Sequence, residues 1–173
     1  MTTAPLLVSA CLMGQAVRYD GGAKTFLNNH LSRWQAAGRL LPLCPELAGG
    51  LPVPRNPAEI APGHDGADVV AARARIVDLQ GQDVTAPFVL GARQVLAQAL
   101  RAGCRHALLT EASPSCGSSV LYSGHHDGTT RAGFGVLTAL LRQEGIAVYA
   151  PDQIDELAMD FDAADHEVTQ RFK

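Results

Sequence analysis

The chain has 173 residues, 47% of them apolar and 18% charged, which is the balance of one globular domain large enough to bury a core. No apolar run reaches the length of a membrane span, and Met1 to Ala10 carries no basic, apolar leader. An integral membrane protein and a secreted one are therefore disfavoured and a cytoplasmic setting is expected, while a formal net charge of −3 gives no overall attraction to nucleic acid.

Leu6-Leu7-Val8-Ser9 is a short apolar run that predicts a buried strand. From Cys11 a loop follows, punctuated by Gly14, Gly21 and Gly22. Over Lys24 to Ala37 the spacing of Phe26, Leu27, Leu31 and Trp34 predicts a helix, with Gly38 as its stop. Leu40-Leu41-Pro42-Leu43 predicts a second strand, weakened by its proline. Pro45 to Pro62 is rich in Pro and Gly and reads as irregular, with Gly49-Gly50 as a tight turn. Ala74 to Leu79 predicts a short strand.

Val84 to Ala102 is the strongest helical segment, with Val89, Val95, Leu96 and Leu100 as inward positions and Gly103 at its end. Then come a strand over His106 to Thr110, a long polar loop over Glu111 to Gly133, a helix over Phe134 to Glu144 and a strand over Ile146 to Tyr149. A short helix over Asp152 to Met159 ends the pattern. The chain thus divides into an α/β domain over 1–161 and a polar tail over 162–173. Alternating strands and helices predict a single-domain, Rossmann-like three-layer sandwich around a mainly parallel sheet.

Four cysteines are present, at 11, 44, 104 and 116. In open parallel sheets the ligand site lies beyond the carboxyl ends of the strands. Cys11 and Cys44 each follow a strand, and Cys116 lies in the loop after a third, so all three converge on one edge. Cys104 precedes its strand and falls at the opposite end, where it reads as buried core. Three converging thiols suit an iron–sulfur cluster with one open iron, or zinc with one open position. Their spacing, which lacks a CxxC pair, does not choose between these. A nucleophilic Cys116 with His106 or His64 as base is a third reading. A non-catalytic cluster sensor is a fourth, although no helix-turn-helix or basic patch accompanies it.

Four blocks carry a resemblance to a known family. They are Val8-Ser9-Ala10-Cys11-Leu12-Met13-Gly14 with Arg18-Tyr19-Asp20-Gly21; Cys44-Pro45-Glu46 with Gly49-Gly50-Leu51-Pro52 and Pro54-Arg55; Asp83-Val84-Thr85 with Phe88 and Gly91-Ala92; and Ser113-Pro114-Ser115-Cys116-Gly117. In this order and spacing the chain resembles the thiouracil desulfidase family over roughly residues 6 to 150. Many members carry a cysteine where this chain has Val17. The resemblance implies a catalytic [4Fe–4S] cluster held by Cys11, Cys44 and Cys116, whose fourth iron takes sulfur from a thiolated uracil. The products are the oxo-pyrimidine and hydrogen sulfide. It also implies Glu46 and Ser113 as the catalytic pair.

Read alone, Glu46 caps a turn and Ser113-Pro114-Ser115 is a turn. Read with the family, Glu46 activates water or protonates the ring, and Ser113 positions water or donates to developing charge. Arg18, Tyr19, Asp20 and Arg55 are candidate substrate-binding residues. Their alternative is structural: Arg18 and Arg55 brace loops by pairing with Asp20 or Glu59, and Tyr19 anchors its loop. The acidic balance leans toward a small thiopyrimidine partner over tRNA. Ser118 to Arg131, rich in Gly and Ser beside the third thiol, is a candidate lid, and His125-His126-Asp127 within it reads as a solvated loop.

Overall fold

A computed structural model describes residues 4–170, with side chains as far as Ala164; Met1 to Thr3 and, from the expected tail, Arg171 to Lys173 lie outside the described residues. In chain order the elements are β1 (Leu6–Ser9), α1 (Asn29–Ala36), β2 (Leu40–Leu43), α2 (Pro45–Ala48), β3 (Ala58–Ile60), α3 (Gly66–Val70), β4 (Ile76–Asp78), α4 (Thr85–Ala102), β5 (His106–Leu108), β6 (Val120–Tyr122), β7 (Thr130–Ala132), α5 (Val136–Gln143), β8 (Ala147–Tyr149) and α6 (Ile154–Gln170). A 3-10 turn, Ala10–Met13, follows β1 directly.

The sheet that organises the chain has the order β2-β1-β5-β8, with every pair parallel. Pro42 sits in β2, an edge strand, where a missing N–H is tolerated. Side chains of β1 alternate between faces. Leu6 and Val8, with Leu108 of β5, meet Leu31, Trp34, Leu157 and Phe161 from α1 and α6. Leu7 and Ala107 face the other way, toward Phe88, Val95, Leu137 and Leu141 from α4 and α5. This is the Rossmann-like three-layer sandwich expected from the alternation. Beyond β1 the chain moves to β2 on one side, and later to β5 on the other, so the strand order reverses at β1.

Several local expectations are corrected. The first helix begins at Asn29, not Lys24: Asn28 caps it, accepting from His30 N at 2.8 Å, and Leu27 is 89% exposed. Pro45 to Pro62 is not irregular throughout, since it holds α2 and β3. Pro45 occupies the first turn of α2, where the absent N–H has no partner to lose. The stretch from Glu111 to Gly133 contains the antiparallel hairpin β6–β7. In α4 the inward positions are Phe88, Ala92, Val95 and Ala99, while Leu100 is largely exposed. The last helix continues past Met159, because Phe161 is buried against Trp34 and Asp162 accepts from Trp34 Nε1 at 3.0 Å.

One contact is made backbone to backbone. A Cβ on Gly91 would stand 1.7 Å from Pro45 O, and one on Gly49 would stand 2.0 Å from Pro87 O. The short α2 therefore lies directly on α4, and only glycines permit it. We expect Gly91→Ala to cost about 3 kcal/mol through overpacking. At about 2–4 °C of Tm per kcal/mol for a chain of this size, thermal unfolding followed by circular dichroism should show a drop of roughly 6–12 °C. An unchanged Tm would mean that α2 moves freely.

Candidate active site

The carboxyl ends of β1, β2 and β5 open into a cavity of about 390 Å3, a size that takes a small ligand. Cys11, Cys44 and Cys116 line it, together with Glu46, Ser113, Arg18, Tyr19 and Arg55. Asp20 does not. It accepts from Gly22 N at 2.9 Å and lies 3.6 Å from Arg18 Nη1, bracing its own turn. Cys104 is buried before β5, away from the other three thiols.

Local structure places each thiol. Cys11 lies in the 3-10 turn that ends β1, and its carbonyl accepts from Lys24 N at 3.0 Å. Cys44 is the N-cap of α2 and lies beside the free N–H groups of the first turn, although its side chain makes no capping hydrogen bond. Cys116 is held by Ser113, whose Oγ accepts from Ser115 N at 3.2 Å and from Cys116 N at 3.0 Å. Thr138 Oγ1 donates to Cys116 O at 3.1 Å and ties this turn to α5. Glu111 secures the next stretch by accepting from Ser118 N at 2.7 Å and Val120 N at 2.8 Å.

Burial pushes all three thiols above the ordinary cysteine range. The second cause for Cys11 is the nearby Cys44, and the Cys116 thiol is raised further by Cys11, Cys44 and Glu46. For Cys44 the backbone N–H groups of Leu47 and Glu46 oppose burial. Three acidic groups set this close together favour a positive partner, and a thiolate-binding metal supplies one. The three cysteines offer an all-sulfur donor set, the usual one for iron–sulfur clusters.

Glu46 does not stand in apolar surroundings. Arg55 Nε donates to Glu46 Oε2 at 2.8 Å, and Arg55 Nη2 bonds the same oxygen. The guanidinium also donates to Pro52 O and Val17 O, each at 3.1 Å. Both side chains are nearly buried, 8% and 14% exposed. Arg55 thus pairs with Glu46 and not with Glu59. Ser115 Oγ lies 3.4 Å from the other carboxylate oxygen.

Glu59 serves the hairpin. It accepts from Gly124 N at 2.7 Å and His126 N at 3.2 Å, pinning the tip of β6–β7 to β3. Through Tyr122, His126 and Gly128 that hairpin forms a wall of the cavity. Neither His64 nor His106 lines the cavity. His64 pairs with Asp68 at 3.0 Å, and His106 packs on Tyr149 and Phe161, so neither stands as a base beside Cys116.

Sequence reasoning missed Ser9, Asn56, Phe88, Thr110, Tyr122 and His126 as lining residues. The signals were small: two hydroxyls at strand ends, and short alternating runs flanking a turn with Gly124 and Gly128. Among the described residues no helix is long and apolar enough to cross a membrane.

The 2-thiouracil desulfurase family matches this chain over residues 6–153. The Bacillus subtilis (strain 168) protein YbbK, described as uncharacterized, is 38% identical over 152 residues, covering 88% of this chain and 99% of its own. A solved structure named [4Fe-4S]-dependent thiouracil desulfidase TudS is 46% identical, superposes with a TM-score of 0.84, and covers 93% of this chain and 99% of its own.

The Glu46–Arg55 pair can be tested apart from any activity. Removing one partner of a buried pair strands the other, so Arg55→Met should cost about 3 kcal/mol in urea unfolding. Adding Glu46→Gln should recover part of that loss. A single-variant cost under about 0.5 kcal/mol, the size of an ordinary surface change, would show that the two groups are not coupled.

Proposed function

The chain belongs to the 2-thiouracil desulfurase family, and on that premise we propose that it is a [4Fe–4S]-dependent desulfidase, converting thiouracil to uracil with release of hydrogen sulfide. The observation that carries the reading is the meeting, in one cavity, of three cysteines from the segments that follow three separate strands, beside an ion-paired carboxylate. Cys11, Cys44 and Cys116 hold the cluster as thiolates. When bound, the cluster supplies an open iron, a soft Lewis acid for the sulfur of the substrate.

The remaining work falls to the protein. Replacing C=S by C=O consumes one water and releases hydrogen sulfide, with no net electron transfer. Glu46 takes a proton from the attacking water and returns it toward the departing sulfur. Arg55 fixes the carboxylate during both transfers, because its three other contacts are to backbone or to the same carboxylate oxygen. Ser113 Oγ already accepts two N–H groups, so its own proton is directed outward, to the substrate. Arg18 and Tyr19 contact the bound ring or its substituents, and Asp20 holds Arg18 in that turn. The size of the cavity and the acidic chain favour a small thiopyrimidine over tRNA. Thiols kept for metal fit the reducing cytoplasm.

The test is an anaerobic preparation assayed for iron, for acid-labile sulfide and for sulfide release from 2-thiouracil and 4-thiouracil. About four irons per chain with sulfide evolution is the expected result, since four irons define the cluster type. Protein that takes up no iron would end the proposal. In loaded protein, Glu46→Gln and Ser113→Ala should each lower turnover by about 10²-fold or more while iron content stays at the wild-type level. Cys11→Ser, Cys44→Ser and Cys116→Ser should instead lose the iron.

Loading should also depend on pH. The raised thiols bind their protons throughout the neutral range, so metal must displace them. Lowering the pH therefore opposes loading. Reconstitution should be more complete at about pH 8.5 than at about pH 6.5, and uptake should release protons, up to one for each thiol bound. A pH-independent yield would contradict thiol ligation.

A further inference from the structure

Two hydroxyls stand behind the thiols, at the ends of the paired strands β1 and β5. Ser9 is the last residue of β1, and Thr110 lies just past β5. Thr110 N donates to Ser9 Oγ at 3.0 Å, a bond that crosses between the two strands. Ser9 is 3% exposed and Thr110 9%, and both line the cavity. Each hydroxyl is aimed at a thiol: Thr110 at Cys11 and Ser9 at Cys116, where each favours the thiolate.

Thr110 Oγ1 is buried and makes no hydrogen bond in the protein as it stands. Buried hydroxyls are rarely left so, and one that faces a thiol has a sulfur as its natural acceptor. Ser9 Oγ has used its oxygen on the Thr110 N–H and keeps its proton for Cys116. The thiol of Cys44 is served otherwise, by the first N–H groups of α2. Each cysteine of the set therefore has a different donor group beside it.

The geometry points to Thr110 and Ser9 as positioning residues of the cluster: Thr110 Oγ1 donates to the Cys11 thiolate and Ser9 Oγ to the Cys116 thiolate, withdrawing charge from the sulfurs. This rests on the cluster reading of the same cavity. Donors to ligating sulfurs stabilise the more negative, reduced state of a cluster and raise its reduction potential. They also make oxidative loss harder. Neither effect needs turnover, so neither is confounded by a role in the reaction.

The test compares anaerobically reconstituted wild-type protein with Thr110→Val, Thr110→Ser and Ser9→Ala. The readouts are iron content, the midpoint potential of the cluster and the rate of bleaching in air. Thr110→Val keeps the shape and the backbone N–H but loses the donor. It should shift the potential to a more negative value, or lose iron while remaining folded, and bleach several-fold faster. Thr110→Ser should restore wild-type behaviour. Ser9→Ala should shift the potential in the same direction. A Thr110→Val protein with full iron, unchanged potential and unchanged bleaching overturns the inference and leaves the cluster standing. Iron uptake by none of the proteins, wild type included, overturns the cluster and this inference together. If Thr110→Val does not fold, an unchanged potential in Ser9→Ala decides against the donors.

Discussion

β1 hydrogen-bonds to a parallel neighbour on each side, with Ser9 opposite Leu43 and Val8 opposite Leu108. That double pairing is what brings the thiols together. Cys11 and Cys44 leave their strands within two residues of paired positions, so register alone sets their places. Cys116 enjoys no such shortcut, since a loop separates it from β5. Its position is fixed by hydrogen bonds instead: Ser113 caps its turn, Thr138 ties it to α5, and Glu111 gathers the following N–H groups. A site with two thiols on strand ends and one on a braced loop can keep two fixed while the third is adjusted by loop sequence.

The convergence of Cys11, Cys44 and Cys116 was legible from the order of elements, because parallel sheets put their loops on one edge. So were β1, α4, α5 and β5, whose apolar patterns are strong. The two misread stretches share a cause. β3, β6 and β7 are three residues each and lack a long apolar run, too short to show a period. They are held by tertiary bonds such as Glu59 to Gly124, which no local pattern reveals. The Glu46–Arg55 pair was hidden for a related reason. The two residues are joined by an irregular loop and not by helical spacing, so their meeting depends on how that loop folds. Gly91 was visible as a motif residue, but its reason, the approach of Pro45, exists only across two helices.

Electrostatically the cavity joins two opposite arrangements. Glu46 has its charge answered by a guanidinium that is itself satisfied by backbone carbonyls. The thiols meet only weak donors from the chain, and burial resists their ionisation. A carboxylate so fixed suits repeated proton transfer from one place. Thiols so crowded suit permanent ligation. The same pocket thus keeps the group proposed to cycle protons apart from the groups proposed to stay ligated.

The sheet order also fixes a sequence of events in time. The strand that borders β1 on its second side is β5, and Cys116 follows it, well into the second half of the chain. A nascent polypeptide that has exposed only Cys11 and Cys44 offers two thiols on one side of β1 and no third. The cavity comes into existence only when β5 docks, so the prosthetic group enters after β2, β1 and β5 have paired, and not while Cys11 and Cys44 alone are exposed.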